Sequence, residues 1–138
     1  MNEKLEIINK WIEKADHDLG TAQITFAHIP EYKDTIAFHC QQAVEKYLKS
    51  YLIFLDIPVT RTHNLTFLLS LISQKEKIKN DIYDRAAELE DYAVEIRYPE
   101  VTIELKDQDI ENAIQIANFF RLFVLKRMHL EIGFKDIK

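Results

Sequence analysis

Apolar residues recur every three or four positions through most of this chain, and that spacing predicts helices. Leu5, Ile8, Ile12, Ala15, Leu19, Ala22 and Phe26 form one seam. It predicts a first helix from about Glu3 to Ala27, with Gly20 weakening it by roughly 1 kcal/mol relative to Ala and Pro30 marking the turn that follows. A second helix is predicted from Asp34, read as an N-cap, to about Asp56, where Pro58 stops it. Cys40, Ala43, Val44, Tyr47, Leu48, Tyr51, Leu52 and Leu55 share one arc of it. A third begins after the cap residue Asn64, with Leu65, Leu68, Leu69 and Ile72 inward. A fourth spans roughly Asn80 to Ile96 on the seam Ile82, Ala86, Leu89, Ala93 and Ile96, and Pro99 disfavours helix at Tyr98. Val101 to Leu105 reads as an extended loop. The last helix starts after Asp107, whose neighbours Asp109 and Glu111 suit the positive end of its dipole. It runs to about Met128, and the residues beyond His129 are expected to fray.

Helices with one apolar seam each must bury those seams together, which predicts an all-α, up-and-down bundle of four to five helices in a single domain over residues 1–129. Phe119, Phe120 and Phe123 widen the apolar arc of the last helix, so it is expected to be central or to meet a partner subunit.

Composition agrees with this picture. Two Gly and three Pro in 138 residues are too few for the turns of a β-sandwich or barrel. The chain is 47% apolar and 30% charged, a balance that sustains a core and argues against disorder. Its formal charge of −5 lacks the overall basic bias of a nonspecific duplex-binding protein, although a local cationic site is compatible with it. No apolar run approaches the ~20 residues needed to span a bilayer. Met1 to Glu6 carry mixed charge and no apolar leader core. The single cysteine, Cys40, sits on the apolar arc and forms neither an internal disulfide nor a metal-ligand cluster. A cytoplasmic location without a cofactor is the resulting expectation.

Candidate chemistry concentrates on the second helix. At about 100° per residue, His39, Gln42, Lys46 and Lys49 fall within about 80° of one another, opposite the apolar arc, with Gln41 and Glu45 at its border. The ordinary reading of such a stripe is a solvated face. The sharper one is a set of donors and cations suited to a phosphate or a partner's carboxylates. Further candidates lie on loops: Arg61 and His63 before the third helix, and Tyr92, Arg97 and Tyr98 at the end of the fourth. Asp16, His17 and Asp18 are adjacent, but neighbours on a helix point in different directions and make a poor shared metal site. No phosphate-cradling Gly loop, Ser-His-Asp order or Cys-His nucleophile pattern is visible.

These residues carry a resemblance. Trp11, Ala15, Asp18, Leu19 and Ala22 are similar to the opening helix of the HEPN domain family. The run from Phe38 through His39, Cys40, Gln41, Gln42, Ala43, Val44, Glu45, Lys46, Tyr47 and Leu48 to Leu52 closely resembles its second helix. Arg61-Thr62-His63-Asn64-Leu65 resembles its Arg-Thr-His-Asp/Asn-Leu segment, and Leu89 to Pro99 its closing motif. The blocks keep the family's order and span about residues 8 to 126. The resemblance implies a four- or five-helix bundle, often a homodimer, that pairs with a minimal nucleotidyltransferase in toxin–antitoxin systems. Nucleotide binding has been proposed for some members.

Other HEPN proteins resemble one another in an Arg-x(4–6)-His motif and cleave RNA without a metal. Here the matching Arg is Arg97, and the positions due for His hold Thr102, Ile103 and Glu104. Arg121 and His129 are one residue too far apart. A group that exchanges protons near neutral pH is therefore absent from its usual place. Three readings follow. The first is a binding or regulatory module using His39, Gln42, Lys46, Lys49, Arg61, His63, Tyr92, Arg97 and Tyr98 to engage a nucleotidyltransferase partner, a nucleotide-like ligand or RNA. The second is an RNA-cleaving toxin built on Arg97 with His39 or His63. The third is a structural dimerisation unit.

Overall fold

The computed structural model describes residues 2–94, 100 and 104–134. Among them are five helices and no strand: α1 (Glu3–His28), α2 (Lys33–Phe54), α3 (Leu65–Ile72), α4 (Asn80–Tyr92) and α5 (Asp107–Arg127). The expected seams face inward. Ile8, Ile12, Ala15, Leu19 and Ala22 of α1, and the α2 arc from Cys40 to Leu52, are buried in one core with Leu65, Leu68, Leu69, Ile72, Ile82, Ala86, Leu89 and Phe120. Each large apolar side chain so buried contributes about 1.5–3 kcal/mol.

α2 runs antiparallel to α1. Early α1 residues meet late α2 residues, as Lys4 does Asp56 and Trp11 does Lys49, while Asp18 meets His39. α2 and α5 run parallel, since Tyr47 and Arg121 share Asp16 and Tyr51 meets Phe123 further along both helices. The four long helices therefore alternate in direction, with α3 as a short crosspiece.

The helix ends follow local chemistry. Asn2 and Asn64 cap α1 and α3, their Oδ1 atoms accepting from the Lys4 and Phe67 amides at 3.0 and 2.9 Å. Asp34 is not the cap of α2. Tyr32 holds that position, and Asp34 lies in the first turn with its carboxylate on the Thr35 amide. α2 and α5 stop in the same way. Asp56 (φ 59°) and His129 (φ 57°) adopt the left-handed conformation just past the helix. Ile57 and Leu130 then donate their amides back to Leu52 and Leu125 at 2.9 and 3.0 Å. These are Schellman closures made without glycine.

Two expectations are corrected. The central helix is α2, which packs against all four others, and not α5; α5 leaves Leu122 63% exposed on its outer side. Residues 130–134 are not frayed: Leu130, Ile132 and Phe134 pack against the core, and Arg121 donates to the Ile132 carbonyl at 2.9 Å. α4 is described as Asn80–Tyr92, and the expected end of the fourth helix at Ile96 lies outside the described residues together with Val101 to Ile103.

Candidate functional site: a paired polar face along α2

Because α2 is surrounded, its polar stripe is mostly not a solvated face. Gln41, Glu45 and Lys49 are only 2%, 4% and 7% exposed, and His39, Gln42 and Lys46 are partly covered. A buried charge is tolerated when it is paired and hydrogen-bonded, and each charge here is.

Two carboxylates organise the face. Asp18, reaching over from α1, accepts from His39 Nδ1 at 2.9 Å and from Lys46 Nζ. Burial alone would raise the Asp18 carboxyl. The hydrogen bonds and charges of His39 and Lys46 outweigh burial and hold it below the ordinary aspartate value. The second anchor is Glu45. It accepts from Lys49 Nζ at 2.7 Å and from His63 Nδ1 at 2.8 Å. Lys49 also lies 5.8 Å from the centre of the Trp11 ring, a cation–π contact. Gln41 joins the loop to the helix by donating to the His63 carbonyl at 2.7 Å, and Gln42 donates to Gln41 at 3.2 Å.

Both imidazoles thus face a carboxylate through Nδ1, which places the proton there and leaves Nε2 for another group. His39 is partly covered, whereas the His63 side chain is 74% exposed. Arg61 is exposed two residues before His63 and forms no ion pair among the described residues. Lys46 and Lys49, expected to offer positive charge, are instead neutralised by Asp18 and Glu45.

Of the other expected residues, Tyr92 stands apart. Its hydroxyl donates to Glu88 of its own helix and lies near Asn112 and Asp109 of α5, away from the α2 face. Arg97 and Tyr98 lie outside the described residues. Asp16, His17 and Asp18 diverge: Asp16 meets Tyr47 and Arg121, Asp18 meets His39 and Lys46, and His17 borders a groove on the outer side of α1. Among the described residues no group of His, Cys, Asp and Glu is arranged to hold a metal. Cys40 is fully buried, and burial, aided by the Asp18 charge, pushes its thiol far above the ordinary range.

Sequence reasoning did not single out Asp18 and Glu45 as anchors. A partial signal existed, since Glu45 and Lys49 stand at the i, i+4 spacing of a helical ion pair. A second polar cluster was also missed. Arg121, only 6% exposed, grips Asp16 through Nε and Nη2 at 2.9 and 3.3 Å, Tyr47 donates to the same carboxylate at 2.6 Å, and the guanidinium lies 5.0 Å from the Phe134 ring centre. This cluster ties the C-terminal segment to α1 and α2. Among the described residues no helix is long and apolar enough to cross a membrane.

An all-α bundle with a paired polar face on its central helix is the class that these observations define. The sequence profile of the HEPN domain matches residues 8–128, and the chain belongs to the HEPN domain family. Its fold is similar to that of an archaeal HEPN homologue of known crystal structure, with a TM-score of 0.70 and 26% identity over 88% of this chain and 97% of that one. It is similar also to a protein of Thermus thermophilus, with a TM-score of 0.76 and 24% identity over 87% of this chain and 97% of that one. No curated protein matches the chain.

Proposed function

We propose that this chain is a HEPN binding module that engages a protein partner, a nucleotidyltransferase of a toxin–antitoxin pair, through the α2 face. The observation that carries this reading is the state of the charges. Lys46 and Lys49 are already satisfied by Asp18 and Glu45, so the face offers fixed hydrogen-bonding groups more than free cations. Such a surface suits a complementary protein patch better than a free phosphate. The exposed pair Arg61 and His63, the latter anchored on buried Glu45, forms the rim that a partner touches first.

The test is co-purification with a minimal nucleotidyltransferase co-expressed with the chain. Wild type retains the partner, and an Arg61→Ala, His63→Ala double variant loses most of it. Equal retention by both sinks the reading. If no partner is retained and calorimetry instead registers a nucleotide, the nucleotide-binding alternative stands in its place.

One geometric feature favours a second reading, metal-independent RNA cleavage. The Glu45–His63 pair leaves an accessible Nε2 on an imidazole oriented by a carboxylate, an arrangement suited to general acid–base work. A cleavage assay in chelator with wild type and His63→Ala decides it. Identical activity in the two ends that reading.

A further inference from the structure

Where α2 and α5 finish, a pocket of about 620 Å³ opens, and of its described lining only Tyr51 falls within a family motif. Phe123 and Tyr51 form its aromatic floor, and Lys77, Lys126, Arg127 and His129 surround it. Among the described residues Glu76 is the one carboxylate on its wall. Three permanent cations against one carboxylate make this a locally positive site on a chain whose formal charge is −5.

Cations in the last turn of a helix ordinarily answer its free carbonyls, and Lys126 and Arg127 stand in the last turn of α5. That role does not account for the pocket. The Leu125 and Lys126 carbonyls already accept from the Leu130 and His129 amides at 3.0 and 3.2 Å. Lys77 comes from the connection before α4, and neither Lys77 nor Lys126 forms an ion pair among the described residues.

A second observation is independent of the charges. Tyr51 is 1% exposed, and its hydroxyl meets no hydrogen-bond partner among the described residues. A buried hydroxyl left unpaired costs about 1–3 kcal/mol. The Arg127 guanidinium is close enough to act on this hydroxyl, but it lies over the Phe123 ring, 4.5 Å from its centre, and donates to the Lys77 carbonyl at 3.4 Å; being a donor only, it leaves the Tyr51 O–H without an acceptor. Burial raises the pKa of the Tyr51 hydroxyl, with Arg127 opposing, so at neutral pH the group is a protonated donor. His129 completes the rim from a left-handed backbone conformation, which is costly for any residue but glycine.

We propose that this pocket binds a small multivalent oxyanion, a phosphate or pyrophosphate group, with Lys77, Lys126 and Arg127 supplying charge and the Tyr51 hydroxyl donating to one of its oxygens. Arginine and lysine together suit such a group, the first by its fork of donors and the second as a point charge. The site is separate from the α2 face and does not depend on the function proposed for it.

Calorimetry with sodium pyrophosphate and with inorganic phosphate, at low ionic strength, tests the assignment. Wild type binds pyrophosphate, more tightly than phosphate, and salt weakens both. A Lys77→Gln, Lys126→Gln double variant binds pyrophosphate at least tenfold more weakly. Tyr51→Phe loses about tenfold, the effect of one hydrogen bond to a charged group. Without the anion Tyr51→Phe melts no lower than wild type, because the O–H it removes has no acceptor. The Arg61→Ala, His63→Ala protein binds pyrophosphate as wild type does. Absence of binding at millimolar pyrophosphate overturns the proposal. So do wild-type affinity in both pocket variants and loss of binding in the α2-face variant, which moves the anion elsewhere. Retention of the protein partner by the Lys77→Gln, Lys126→Gln variant keeps this outcome distinct from that of the α2 face.

Discussion

At the scale of single residues, the two carboxylates that α1 turns toward its neighbours set the terms. Asp18 holds His39 and Lys46. Its folded pKa is depressed, so its contribution is fully present above the unfolded aspartate value of about 3.9 and is lost as pH falls through the lower folded value. Replacing Asp18 with Asn should therefore cost about 1–3 kcal/mol at pH 7 and much less at pH 2. Urea denaturation of both proteins at the two pH values checks this, and an equal gap at both would remove Asp18 as the source. Asp16 does a different job, with Arg121 as its buried counterpart. Arg121→Ala leaves that carboxylate without its ion pair and should cost about 3 kcal/mol. It also releases the Ile132 carbonyl, so limited proteolysis should cut the variant within residues 130–134 sooner than wild type.

At the scale of elements, caps explain how a chain with so little glycine ends its helices. Asn64 accepts from the Phe67 amide, and Asn64→Ala should lower stability by about 1 kcal/mol. Asp56 presents the opposite case, since a left-handed position occupied by a non-glycine residue is strained. Asp56→Gly relieves that strain, and the gain outweighs both the looser unfolded chain and the loss of the largely exposed ion pair with Lys4, so a net gain of about 0.5 kcal/mol is expected. Thermal melts that move in opposite directions for the two variants would bear this out. The elements themselves were legible because a 3.6-residue period and a capping asparagine are local properties. Seams on α1, α2 and α3 needed no knowledge of what they pack against. Asp34 misled because an aspartate near a helix start serves equally as cap or first-turn residue, and which of them it is depends on how the chain leaves the turn at Pro30. Asp56 and His129 were not legible as closures, because the sequence signal for a left-handed position is glycine.

At the scale of the whole molecule, the limit on reading the site is the number of neighbours each helix has. A helical wheel shows that His39, Gln42, Lys46 and Lys49 share a side. It does not show that α1 and the loop before α3 close over that side, which is why a solvated stripe turned out to be a buried, paired network. The same limit hid the C-terminal segment. The HEPN match ends at residue 128, yet Leu130, Ile132 and Phe134 lie back on the bundle, and Ile132, Gly133 and Phe134 form one wall of a groove of about 780 Å³ along α1. The segment therefore acts as a strap on a core that is complete without it. Ending the chain after Met128 should leave a folded, helical protein, since the seams of all five helices remain. It should also remove three partly buried apolar side chains worth about 2 kcal/mol together, lowering the melting temperature by several degrees. Far-ultraviolet circular dichroism and a thermal melt of the shortened chain decide the matter. A chain that fails to fold would make the strap part of the core, and one that melts as wild type does would show the strap to contribute nothing.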